Sequence, residues 1–397
     1  MDDFRLSVRN WLAQHLAGEF ASLVGTGGPG REHEHIEARR RWERELGAGG
    51  WIGLGWPAPD GGGADIGRQV TFFEEYARAG GPGRLSHIGE YLLAPTLIAY
   101  GTPEQRARFL PPIRQATEFW CQGYSEPDAG SDLAAVRTSA ALDGEVWRIT
   151  GQKVWTSLAH IADWCFVLAR TDPTAPKHRG LSYLLVPMDQ PGVRVRPIVQ
   201  LTGTSEFNEV FFDDAVTAAE NVVGAPGDGW RVATGTLGFE RGVATLGQQL
   251  GFARELDEVI AGARSYGSID DPVRYDRIVD AWVGLQVLRH HALRTLGTPA
   301  GDPTGVAPGV EASVAKLLWA PWHQRLGELA MAAAGAESTI VPAPPYDLSD
   351  AQRLFLYTRA DTIYGGSNEI QRNIIANHVL GRVHPQSQSQ SQSRSRS

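Results

Sequence analysis

Three short stretches carry residue types that could do chemistry. The first is Trp120-Cys121-Gln122-Gly123-Tyr124-Ser125-Glu126-Pro127-Asp128-Ala129-Gly130-Ser131-Asp132, where hydroxyls, small residues and turn formers follow in quick succession. Such a loop can turn several backbone N–H groups toward an anionic or carbonyl-bearing ligand. It also reads as a plain Pro/Gly turn between domains. The second, Gly151-Gln152-Lys153-Val154-Trp155-Thr156-Ser157, sets a Trp beside two hydroxyls. A flat apolar face edged by hydrogen-bonding groups suits an aromatic cofactor ring, and equally a Trp buried on a strand. The third, Ile363-Tyr364-Gly365-Gly366-Ser367-Asn368-Glu369-Ile370-Gln371-Arg372, breaks the chain at two glycines just before a helix start. A helix N-terminus presents free N–H groups and the positive end of its dipole; the plainer reading is a helix–helix turn.

Other signals are thinner. His33-Glu34-His35 with Glu37 has no further ligand at a fixed spacing, so it reads as a solvated helix start and no metal is expected. Arg289-His290-His291 reads as a pair of histidines on a helix. There is no G-x-S-x-G, no P-loop and no G-x-G-x-x-G after a strand. Hydrolase, nucleotidase and NAD-dehydrogenase readings therefore lose their usual anchors.

The elements that must position these stretches fall into blocks. Phe4, Val8, Trp11, Leu12 and Leu16 recur at helical spacing, and a second helical pattern runs from Glu37 to Leu46. Residues 51–63 read as loop. Thr102-Pro103-Glu104-Gln105 is a helix start, with Thr as N-cap, Pro in the first helical position and Gln three residues after the cap. Between Phe119 and Gly224 the pattern changes to apolar runs of strand length, at 146–150, 164–168, 181–186, 193–198 and 210–212, with turns at Asp143-Gly144, Pro191-Gly192 and Thr202-Gly203. From Trp230 helical periods return at 230–265, 272–297, 309–335 and 349–363, and Ser367 can cap a last helix that ends at Gly381. The expected class is α+β: an N-terminal helical domain (1–117), a middle antiparallel β domain (118–225), a C-terminal helical bundle (226–382) and a disordered Ser/Gln/Arg tail (383–397).

Composition narrows the function. The chain has 397 residues, with 37 Lys+Arg against 45 Asp+Glu and a formal net charge of −8. That balance, without a basic stripe, argues against nucleic acid as a partner. No run approaches the length of a membrane span. The N-terminus is charged from Asp2 and lacks an apolar signal segment, and the two cysteines, Cys121 and Cys165, are too few for a disulfide framework. Cytoplasmic residence follows as the expectation. Only three basic residues are lysines: Lys153, Lys177 and Lys316.

Taken in order, the three stretches resemble the acyl-CoA dehydrogenase family. Trp51-Ile52-Gly53-Leu54-Gly55-Trp56-Pro57, Phe109-Leu110-Pro111-Pro112, Phe207-Asn208-Glu209-Val210-Phe211-Phe212 and Phe239-Glu240-Arg241 support the likeness, which covers about residues 1–381. The resemblance implies helical, β and four-helix-bundle domains, bound FAD, and an oligomer, usually a homotetramer. It also implies removal of the α-proton and a β-hydride from an acyl thioester, giving the trans-2-enoyl product, with electrons passed on to an electron-transferring flavoprotein.

Carried over by position, the resemblance implies that Ser125 hydrogen-bonds the flavin and that the backbone of Gln122 to Tyr124 lines its edge. Trp155 would pack against the ring, with Thr156 beside it and Ser157 at its N5/O4 edge. Ser131 would stand at the pyrophosphate and thioester arm, touching cofactor and substrate. Ser367 and Glu369 match positions near the FAD, and Arg241 an arginine at the substrate.

Two departures matter. Many members carry the catalytic Glu directly after the aromatic of the segment matching Ile363-Tyr364, where this chain has Gly365. A smaller branch places it on a bundle helix before an Arg, and Glu240 occupies that position here. Gly365 still has a main-chain N–H, which in the family holds the thioester oxygen together with a ribityl hydroxyl; only the carboxylate is lost. The α-proton of a thioester yields to a base only if the developing oxyanion is stabilised. Glu240 as that base should sit in apolar surroundings that raise its pKa. The missing side chain at 365 leaves room for a branched or ring-bearing acyl group. Second, the family's Arg-x-x-Phe-Gly stretch, which reaches a neighbouring subunit's FAD, is replaced near Asp270-Asp271-Pro272-Val273-Arg274, so a homo- or hetero-oligomer is left open. Two rivals stand beside the dehydrogenase: a flavin monooxygenase or oxidase on the same fold, and a non-catalytic partner subunit of a heteromeric dehydrogenase.

Overall fold

The apolar spacing that opens the chain becomes helix α1 (Asp2–His15), with Val8 and Leu12 buried on its inner face. The computed structural model describes the backbone of residues 2–239, 244–297, 308–340 and 347–380, in two compact units, Met1–Gly251 and Phe252–Ser397. The helix end expected at Gly381 and the tail beyond it lie outside the described residues.

In the first unit α1 is followed by α2 (Ile36–Ala48) and α3 (Ile66–Arg78), and Val8, Leu12, Trp42, Leu46 and Phe72 form one core. The helical pattern from Glu37 is α2; α3 is a further helix whose N-cap Asp65 follows a Gly-rich run. A π-helical turn at Gly89–Leu93 leads into α4 (Ala94–Tyr100). The expected start at Thr102 is a complete capping box: Thr102 and Gln105 satisfy each other's backbone N–H at the head of α5 (Pro103–Arg114). The same Gln105 donates its Nε2 to the carbonyls of Glu220 and Val222, at 2.6 and 2.8 Å, and so fastens α5 to the β block.

That block is one sheet of β1 (Trp120–Gly123), β2 (Ser139–Asp143), β3 (Val146–Ser157), β4 (Trp164–Arg170), β5 (Leu181–Pro187), β6 (Val193–Ile198), β7 (Phe207–Ala218) and β8 (Val222–Val223). The order is β6-β7-β3-β2-β4-β5-β8, with β1 paired to β4. Most pairings are antiparallel, as expected; β1 and β2 in addition run parallel to β4. A parallel partner needs a long connection, and β1 is separated from β4 by β2 and β3. The near-continuous apolar runs of β4 and β5 reflect cover on both faces. Phe166, Leu168, Tyr183 and Leu185 pack with the helical residues Leu97 and Phe109, while Cys165, Val167, Leu184 and Val186 pack with Trp147, Ile149 and Phe212 of the same sheet. Helix α6 (Gly229–Phe239) lies so close to β5 that a Cβ on Gly229 would stand 2.5 Å from Ser182 Cα.

Helix α7 (Ala244–Ser265) follows in the chain. The second unit continues with α8 (Pro272–Gly297), α9 (Pro308–Ala334), α10 (Asp350–Thr358) and α11 (Asn368–Val379). Phe252, Leu256, Leu285, Trp322, Leu326 and Leu329 make its core. Ser367 caps α11 through the N–H of Ile370, as its position before the helix predicts. Among the described residues no helix is long and apolar enough to cross a membrane, and no group of three or more His, Cys, Asp or Glu could hold a metal ion.

Candidate active site

In the first unit the site is organised by an ion pair. Lys153, on β3, is fully buried, and its Nζ donates to Glu126 Oε1 (2.8 Å), Leu168 O (2.7 Å) and Tyr124 O (3.0 Å). Glu126 also accepts the backbone N–H groups of Arg137 (2.6 Å) and Thr138 (2.9 Å). Burial pushes the Glu126 carboxyl up, but the Lys153 ammonium and these N–H donors outweigh it and hold the group below the usual carboxylate range. A buried charge persists only when paired and hydrogen-bonded. The result is a staple: the loop after β1, carrying Tyr124 and Ser125, is fixed to β3, and Val154 N donates to Ser125 O at 2.9 Å.

Next along β3 the register against β7 slips between Lys153 and Thr156, forming a bulge. Trp155 in this bulge has φ +59, an uncommon conformation for an aromatic residue. Trp155 is 58% exposed, with the Phe207 ring set edge to face against it at 6.1 Å between centroids. The strand-core reading of this Trp is thereby set aside. Thr156 points the other way and is fully buried, yet its Oγ1 has no hydrogen-bond partner among the described residues; neither does Oδ1 of buried Asn208, whose Nδ2 donates to Thr156 O. A bare indole face, unsatisfied polar atoms and a strand, β1, with one ladder partner suit a flat heterocycle rich in acceptors and donors. The residues present therefore fit a flavin.

The structure thus places Gln122, Tyr124 and Ser125 on and just after β1, stapled to the stretch that carries Trp155, Thr156 and Ser157. Tyr124 is buried, with its hydroxyl turned to Ala233 O at 3.5 Å and its carbonyl held by Lys153. Ser131 stands exposed on the outer part of the loop.

In the second unit Gly365 (φ +62) and Gly366 (φ +87) form the turn before α11. Gln371 Nε2 donates to both of their carbonyls, at 3.0 and 3.3 Å. Ser367 and exposed Glu369 follow at the head of α11, and the helix N-terminus holds the Glu369 carboxyl low. Lys316 Nζ stands 4.0 Å from the Trp319 ring centroid, 4.4 Å from that of Tyr364, and 3.8 Å from where a Cβ on Gly365 would sit. Glu240 and Arg241 lie outside the described residues.

Three features escaped the sequence reading: the Lys153–Glu126 staple, the Lys316 ammonium beside Gly365, and a buried His323 held between Glu255 and Asp361. The scarcity of lysine was the available signal for the first two. Nothing local marks the third, whose partners are distant in sequence.

Models of the acyl-CoA dehydrogenase N-terminal, middle and C-terminal domains match residues 2–117, 121–215 and 227–380. Over 382 residues the chain is 60% identical to acyl-CoA dehydrogenase IpdE1 of Mycobacterium tuberculosis (strain ATCC 25618 / H37Rv), covering 96% of this chain and 97% of that protein. Among solved structures, the Tcur3481–Tcur3483 steroid ACAD is 30% identical with a TM-score of 0.81, covering 96% of this chain and 97% of that one. The ChsE4–ChsE5 complex from Mycobacterium tuberculosis is 28% identical with a TM-score of 0.77, covering 96% of each chain. The chain belongs to the acyl-CoA dehydrogenase family, whose members are FAD-dependent flavoproteins, and it is an enzyme of that type.

Proposed function

We propose that the protein oxidises an acyl-CoA thioester to the trans-2-enoyl-CoA, with Glu240 as the base that takes the α-proton and the Gly365 N–H as a donor to the thioester oxygen. The observation that carries this is the backbone at Gly365: φ +62 costs a side chain about 1–2 kcal/mol and so favours glycine, and with glycine there the carboxylate has to come from another residue. Glu240, between Phe239 and Arg241, is the residue that the sequence offers for it. When bound, FAD supplies the acceptor for the β-hydrogen and its electron pair. The Ser125 hydroxyl and Ser157 would hydrogen-bond its ring, the Gln122–Tyr124 main chain would line its edge, Trp155 would pack against its face with Thr156 beside it, and Ser131, Ser367 and Glu369 would stand near its outer parts. Ser131 and Arg241 contact the acyl-CoA.

The acyl group we assign is bulky, branched or steroid-derived. The space left at Gly365 supports this, as does the likeness to a steroid ACAD. The working form is an oligomer, homomeric or mixed, and the exposed apolar residues Val279, Trp282, Val283 and Val287 along α8 offer a face for it. An electron-transferring flavoprotein is the proposed acceptor and the cytoplasm the proposed site of action; both cysteines are buried thiols.

The test is a panel of straight, branched and steroid-derived acyl-CoAs mixed with the flavoprotein without oxygen. Fast bleaching by a bulky member, with slow reoxidation in air, supports the reading. Rapid reoxidation by air points to the oxidase or monooxygenase. Failure of the isolated chain to hold FAD or bleach points to a partner subunit.

A further inference from the structure

The turn that presents Gly365 consists of two consecutive glycines, both at positive φ. Such a pair has little conformational preference of its own, yet a main-chain donor contributes to oxyanion stabilisation only when it is held in place before the reaction. Two braces hold it. Downstream, buried Gln371 grips the carbonyls of both glycines. Upstream, the residue next to Gly365 is Tyr364, whose hydroxyl donates to Asp361 Oδ1 at 2.9 Å while its ring faces the Lys316 ammonium.

Asp361 is fully buried, and its other oxygen meets His323 Nδ1 at 2.8 Å. His323 is 2% exposed, and its Nε2 meets Glu255 Oε2 at 2.7 Å. Carboxylates only accept hydrogen bonds, so both ring nitrogens carry protons and the ring is an imidazolium. We propose that His323 is a positioning residue for the thioester-binding main chain: as an imidazolium bridging Glu255 of α7 and Asp361, it fixes the Tyr364 hydroxyl and, through it, the Gly365–Gly366 turn. The inference rests on the role proposed for the Gly365 N–H.

The energetics favour this over mere packing. A cation buried between two carboxylates is seldom worth more to stability than apolar residues of the same volume; here the aromatic rings of Phe252 and Trp322 already flank the site. The titratable groups facing His323 are Glu255 from α7 and Asp361 from the turn after α10. Beyond them stand Tyr364, Lys316 on α9, and Arg359, which is engaged with Glu328 and Gln324 O. Burial disfavours the charged ring, but Glu255 and Asp361 outweigh it and push its pKa up to about 9. Deprotonation removes one of the two N–H donors and releases a carboxylate.

The test uses the holoenzyme and its Tyr364→Phe and His323→Gln variants. Tyr364→Phe deletes one hydroxyl and leaves the buried ion cluster whole. The readouts are the anaerobic bleaching rate, KM, the pH profile, and the infrared carbonyl stretch of bound 1-13C-labelled trans-2-enoyl-CoA of whichever acyl chain bleaches fastest. In Tyr364→Phe we expect FAD to be retained, KM to change little, bleaching to slow roughly tenfold to a hundredfold, and the downshift of the bound carbonyl to shrink. The wild-type rate should fall as pH passes about 9, and that fall should vanish in Tyr364→Phe. His323→Gln should show the same losses where it folds. A Tyr364→Phe enzyme with wild-type rate, carbonyl shift and pH profile overturns the inference. A wild-type carbonyl that is not shifted on binding overturns the Gly365 role itself, and the inference with it.

Discussion

Lys153 Nζ donates to Glu126 Oε1 at 2.8 Å with Lys153 fully buried and Glu126 nearly so, and this pair ties the loop after β1 to β3. Removing one partner strands the other charge. Lys153→Met should therefore cost about 3–5 kcal/mol of stability, read by chemical denaturation of the apoprotein, and should loosen the loop carrying Ser125. FAD affinity should fall with it, read by flavin fluorescence. Unchanged stability would show that the staple contributes nothing.

Thr156 gives a prediction of the opposite kind. Its Oγ1 is buried without a partner among the described residues, so Thr156→Val breaks no hydrogen bond between them. The apoprotein should be at least as stable as the parent, because valine removes a buried hydroxyl whose lack of a partner costs about 1–3 kcal/mol. If the hydroxyl bonds the cofactor, FAD should bind about tenfold more weakly, the equivalent of about 1.4 kcal/mol. Titration calorimetry of the apoprotein with FAD measures this.

Gly365 cannot simply be given back a carboxylate. At φ +62 any side chain costs about 1–2 kcal/mol of strain. Gly365→Ala should lower stability by that amount, since the added Cβ meets only Lys316 Nζ, at an ordinary 3.8 Å. Gly365→Glu should carry the same strain, and combined with Glu240→Gln it should not restore the parent rate of flavin bleaching.

Sequence and structure part company at identifiable places. The head of α5 was readable because a capping box is local, and the strands β4 and β5 because burial on two faces leaves an uninterrupted apolar run. The glycine pair at 365–366 and its cap Ser367 were readable for the same reason. Trp155 was legible as a residue type, but not its φ of +59 or its exposure, because the β-bulge depends on the register of β3 against β7. The ring of contacts around His323 joins three elements, and helical periodicity says which side of a helix faces inward without saying what it meets there.

The pH dependence of stability follows from the same histidine. Its pKa is raised from an ordinary 6.5 to about 9, so the folded state holds a proton that the unfolded chain releases. That contribution is present in full below about pH 6.5 and is lost as the pH rises through about 9. Thermal midpoints should fall across this window in the parent and fall less in His323→Gln. Equal slopes in the two proteins would contradict the assignment of the titration to His323.

The most direct measurement is anaerobic mixing of the FAD-loaded Glu240→Gln variant with the acyl-CoA that the parent oxidises best. An amide cannot take the α-proton. The variant should stay yellow, bind FAD as the parent does, and bleach at least about a thousandfold more slowly. Bleaching at the parent rate with full flavin occupancy would contradict Glu240 as the base.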